Sequence, residues 1–85
     1  MVERIVRAVL ERNGIAGCLK GDRVRVSPRA HGRQTVSVSN DLKRITEPVA
    51  SKIQKELLDE FMKNFRDVRV VRDEVEWLFI IQLNA

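Results

Sequence analysis

Valine and polar residues alternate strictly over Arg23-Val-Arg-Val-Ser27 and again over Thr35-Val-Ser-Val-Ser39. Two such runs, with Pro28 and Gly32 among the residues between them, predict an antiparallel hairpin. Successive strand side chains point to opposite faces, so Val24, Val26, Val36 and Val38 share one face. Arg23, Arg25, Ser27, Thr35, Ser37 and Ser39 share the other. Pro28 ends the first strand because it cannot donate to the ladder. Gly32 offers the positive φ that a tight tip needs.

A different period governs the flanks. Val2, Ile5, Val6, Val9 and Leu10 recur at helical spacing and predict an amphipathic helix over 2–13, stopped by Asn13-Gly14. Ile15 to Lys20 reads as a short extended lead-in to the hairpin. Val49, Ile53, Leu57, Phe61 and Phe65 mark the buried stripe of a second, longer helix. Thr46-Glu47-Pro48 is a helix-start signature, with threonine as the cap and proline in the first turn. Either the helix begins there, or an earlier turn over Leu42–Ile45 is kinked at Pro48. Lys52, Lys55, Glu56, Asp59, Glu60 and Lys63 form its solvated face.

The last third reads as a second hairpin. Val68–Val71 is a short strand, Arg72-Asp73-Glu74 the turn, and Val75–Leu83 a long strand. That long strand is apolar on both faces, with Trp77, Phe79 and Ile81 on one and Leu78 and Ile80 on the other. Such a strand belongs in the middle of a sheet.

The order is therefore helix, strand, strand, helix, strand, strand. The chain is expected to form one α+β domain over 1–85, a two-layer sandwich. Two helices cover one face of a four-stranded antiparallel sheet, and the C-terminal strand lies centrally between the third strand and the second. This is a ferredoxin-like arrangement with its usual first strand moved to the C-terminus. Arg23–Ser27 becomes an edge strand, where charges discourage strand addition. Leu78 and Ile80 fall on the open sheet face, and their burial against a second copy predicts a homodimer.

Composition narrows the function. Hydrophobic residues at 44% and charged residues at 33% describe a folded globular chain. The single cysteine, Cys18, excludes an internal disulfide and points to a reducing compartment. The first residues lack a secretory apolar core, and the longest apolar run, Trp77–Ile81, is far too short to span a membrane. A cytoplasmic setting without membrane contact follows.

Catalytic chemistry finds little support. One histidine and one cysteine cannot form a zinc set. Nothing in the spacing supports a Cys18–His31 dyad. Asp59-Glu60 and Asp73-Glu74-Glu76 fall on a solvated helix side and at a turn. Gly14-Ile-Ala-Gly17 matches a bare G-x-x-G pattern, but it is apolar and reads as a helix stop followed by a bend. No catalytic residue, metal, cofactor or small-molecule substrate is expected.

Charge singles out the first hairpin. Residues 1–45 carry ten Lys/Arg against four Asp/Glu, a balance of +6, while residues 46–85 carry six against eight, or −2. Over 20–44, Lys20, Arg23, Arg25, Arg29, Arg33, Lys43 and Arg44 face only Asp22 and Asp41, and His31 at the tip adds charge when protonated. Guanidinium groups alternating with hydroxyls suit phosphates, and a two-stranded ribbon fits the major groove of DNA. The hairpin has no aromatic residue for base stacking, so contact would run through the backbone, independent of sequence. The leading expectation is a small non-enzymatic accessory protein that binds DNA or RNA through this hairpin. The alternative is a protein-interaction or oligomerisation module using the open sheet face.

Overall fold

Helix α1 (Val2–Arg12) buries Val6, Val9 and Leu10, the positions that recur at helical spacing. The computed structural model describes residues 2–15, 24–39, 45–72 and 77–85, with side chains at all of these but Trp77 and Leu78. The chain leaves α1 through Gly14 at φ +76°. The Gly14 N–H donates to the Glu11 carbonyl and the Ile15 N–H to the Leu10 carbonyl, both at 3.0 Å. These are the paired bonds of a Schellman motif. Its accompanying apolar contact is supplied by Leu10 and Ile15, which both enter the core.

Helix α2 (Glu47–Met62) buries Ala50, Ile53, Leu57 and Phe61. Thr46 holds the N-cap position with extended backbone, but its hydroxyl makes no capping hydrogen bond. The expected side-chain cap is thus replaced by the position alone, with Pro48 in the first turn where a missing N–H costs nothing. Phe65 lies beyond the helix end rather than in its stripe. Its ring meets that of Phe61 edge-on, with centroids 6.1 Å apart.

Strands β1 (Val24–Val26), β2 (Arg33–Ser39), β3 (Asp67–Arg72) and β4 (Trp77–Asn84) form one antiparallel sheet in the order β1-β2-β4-β3. The most apolar strand is central, as its two-faced pattern requires. Val24, Val36, Val38, Phe79, Ile81 and Leu83 are buried with the helix stripes in a single core, and Val68 and Val70 pack against it. The register steps between Val38 and Ser39, because Ser39 pairs with Trp77 while Val38 pairs with Phe79. β4 therefore holds one residue more than β2 there, a bulge that strict alternation does not foresee. At the β3 edge, the Gln54 side chain donates to the Val70 carbonyl at 2.9 Å, which occupies one acceptor of an otherwise open strand.

A further polar contact joins α2 to β3, and another joins the two helices. Arg72, the last residue of β3, makes a two-pronged ion pair with Glu47 in the first turn of α2. Glu56 of α2 accepts from Asn13 Nδ2 at 3.0 Å and from Arg12 at 3.3 Å, tying α2 to the end of α1. Arg72 holds the Glu47 carboxyl below its ordinary value of 4.5, and Asn13 foremost, then Arg12, does the same for Glu56. A lowered folded-state value means that the contribution is complete above about 4.5 and is lost as pH falls through the lower folded value. Urea midpoints should therefore fall on acidification below about pH 4.5, and by less in Glu56→Gln than in the parent. Equal losses in the two proteins would remove Glu56 from this account. Among the described residues no helix is long and apolar enough to cross a membrane.

Candidate functional site

The tip of the first hairpin closes in two steps. Ala30 and Arg33 exchange both backbone hydrogen bonds, at 3.0 and 2.9 Å. Only His31 and Gly32 lie between them, at φ 53° and 73°. Positive φ at both central residues is the mark of a type I′ turn. Histidine tolerates this region better than most side chains, though less well than glycine. Below the turn, the Ser27 N–H donates to the Thr35 carbonyl at 2.8 Å. The Thr35 N–H turns to Ser27 Oγ, also at 2.8 Å, and the Ser27 carbonyl accepts from Gln34 Nε2 at 3.2 Å. Pro28 and Arg29 therefore stand opposite Gln34 alone, and a bulge accommodates the proline that cannot donate.

This tip is anchored to the rest of the sheet. The Ala85 N–H donates to the Gly32 carbonyl at 2.9 Å, so the chain after β4 reaches the turn itself. Cross-strand pairing then arranges the open face in rows. Arg25, Ser37, Ile80 and Val71 form one row, and Thr35, Gln82 and Arg69 form the next. Arg33, Asn84 and Asp67 close the end of the sheet. Arg33, Thr35, Asp67, Arg69, Gln82 and Asn84 line a shallow polar depression of about 360 Å³ here. Asn84 Nδ2 donates to Asp67 Oδ2 at 3.3 Å and fixes one side of it.

Ionic pairing divides the two layers. On the helix side Arg7 pairs with Glu3, Arg12 with Glu56 and Glu60, Lys52 with Glu56, and Lys63 with Glu60. On the sheet side, no ion pair or side-chain hydrogen bond among the described residues engages Arg29, Arg33 or Arg69. All three are exposed. Asp67 is the one described carboxylate on the open face, and Asn84 already bonds to it. Uncompensated cations over one face raise a positive potential there.

Of the residues expected at the site, Arg25, Arg29, His31 and Arg33 are exposed. Arg25 lies on the open face and already takes part in an intramolecular interaction. Lys20, Arg23, Lys43 and Arg44 lie outside the described residues, as do Cys18, the Asp73–Glu76 segment and the Leu78 side chain. Ile80 is on the open face as expected, half-buried between Ser37 and Val71. Sequence reasoning overlooked Arg69. The signal was present: Val68 and Val70 point to the core, so Arg69 between them must face outward, on the side shared with Thr35. Gln82 follows from the same parity.

No protein-family model matches the chain, and no curated protein or solved structure matches it significantly.

Proposed function

We propose that the protein binds the phosphate backbone of a nucleic acid with the open sheet face and the tip of the first hairpin, acting by binding and not by catalysis. One observation carries this reading: Arg29, Arg33 and Arg69 collect at one end of the sheet, and among the described residues no anion engages them, while the described carboxylates of the helix layer are largely taken up by neighbouring cations. We read the architecture as a permuted ferredoxin-like sandwich and the setting as the cytoplasm, where a lone Cys18 stays reduced.

Salt dependence tests the proposal directly. Binding of a fluorescein-labelled DNA duplex, followed by anisotropy between about 50 and 200 mM salt, should weaken linearly on logarithmic axes. Replacing Arg29, Arg33 and Arg69 with alanine should reduce the slope by about 2 to 3, close to one per guanidinium that meets a phosphate. An unchanged slope and affinity would remove these side chains from the binding face.

A second reading rests on Val71, which is 42% exposed beside the half-buried Ile80. In that reading the open face carries a second copy of the chain. Sedimentation separates it from the first, because a protein that stays monomeric at high concentration has no such interface.

A further inference from the structure

The depression at the end of the sheet narrows the form of nucleic acid that the face accepts. A duplex read in its major groove demands an element that fits a channel about 12 Å wide. The hairpin is not a free ribbon. β2 is paired along its whole length with β4, and the turn itself is tied to Ala85. At the end that holds the depression, β3 continues the sheet through the Asp67–Asn84 pair. There the arm of residues 27–30, β2, β4 and β3 lie side by side, which sets the outer two about 14 Å apart before any side chain is added. The cationic end is too broad for the groove.

The floor of the depression points the same way. Arg33 on β2 and Arg69 on β3 are two strand spacings apart across the sheet and two residues apart along it, about 12 Å in all, with β4 between them. The floor that separates them offers the Thr35 hydroxyl and the Gln82 and Asn84 amides. An amide presents a donor and an acceptor side by side, which matches the edge of a base. Asp67, held by Asn84, repels a phosphate but accepts from an exocyclic amino group of a base. Phosphates thus suit the guanidinium rims and base edges suit the floor. Base edges become available in this way only where the strand is unpaired, and guanidinium planes also stack on splayed bases.

We infer that the ligand is an unpaired nucleic-acid strand laid across the strands of the sheet, with phosphates on Arg33 and Arg69 and a base edge on Gln82. This rests on the phosphate-binding reading above and makes it more specific.

The test compares a labelled mixed-sequence oligonucleotide of about a dozen nucleotides with the duplex of the same sequence, as DNA and as RNA, by anisotropy at low salt. The single strand should bind at least about tenfold more tightly than its duplex. Gln82→Ala, an exposed and uncharged change, should weaken single-strand binding by between about five- and a hundredfold and leave the salt slope unaltered. Far-UV circular dichroism confirms that this variant is folded. Duplex binding as tight as single-strand binding, or a Gln82→Ala protein equal to the parent, overturns the inference. If the arginine triple variant still loses affinity in that case, phosphate binding survives. Failure of the parent protein to bind either form overturns both.

Discussion

Exchanging Arg33 and Arg69 together for glutamate is expected to weaken nucleic-acid binding by about a hundredfold or more at low salt, with the fold intact. Both side chains are exposed, and no ion pair or side-chain hydrogen bond among the described residues engages either. Reversal therefore removes no stabilising contact seen in the structure. It replaces two phosphate-attracting groups with two that repel, beside the existing carboxylate of Asp67. Net charge alone could mimic such a loss, since each exchange lowers it by two and the pair takes +4 to zero. Arg4→Glu with Lys55→Glu supplies the control. These residues are exposed in α1 and α2 and change the net charge equally, on the opposite layer. Anisotropy titrations should show the sheet-face pair losing far more than the helix-face pair. Equal losses would mean that the protein attracts nucleic acid only through its overall charge.

Phe61→Ala should cost about 3–5 kcal/mol of stability, the usual range for a fully buried phenylalanine. Phe61 has no exposed surface, and its ring also supports Phe65, which closes the core beyond α2. A chain of this size has a total stability of roughly 4–13 kcal/mol, so one substitution removes much of it. Urea denaturation followed by circular dichroism measures the loss. The adjacent Met62 is 57% exposed, and Met62→Ala should stay within about 0.5 kcal/mol of the parent. A loss below about 1 kcal/mol for Phe61→Ala would contradict the packing described here.

The layers and the strand order were legible in the sequence because each element announces itself by period. Val24, Val36 and Val38 alternate with polar residues, Ile53, Leu57 and Phe61 recur every fourth position, and Trp77 to Ile81 is an unbroken apolar run. These patterns respond to burial, which decides the architecture. Irregularities escaped for the converse reason. The step between Val38 and Ser39 leaves no trace in composition, because a bulge changes pairing without changing which residues are apolar. The missing Thr46 cap is a matter of one hydroxyl's rotation. The site was half legible. Arg29 and Arg33 stand out as a local cluster, whereas Arg69 joins them only through pairing of β3 and β2 to a common partner. Proximity across three strands is a tertiary fact, and a linear reading of charge attributes it to the wrong segment.

The position of β4 has a consequence for how the protein is made. Residues 77–84 lie between β2 and β3, so neither hairpin can complete its sheet until that stretch has been synthesised. During elongation on the ribosome, the strand edges destined for β4 wait unpaired while both helices and the other three strands have already been made. Closure of β2 onto β4 spans the 37 residues of intervening chain from 40 to 76, a slow class of contact. Chains truncated before residue 77 should be sticky, protease-sensitive species, whereas chains that carry residues 77–84 outside the exit tunnel can fold.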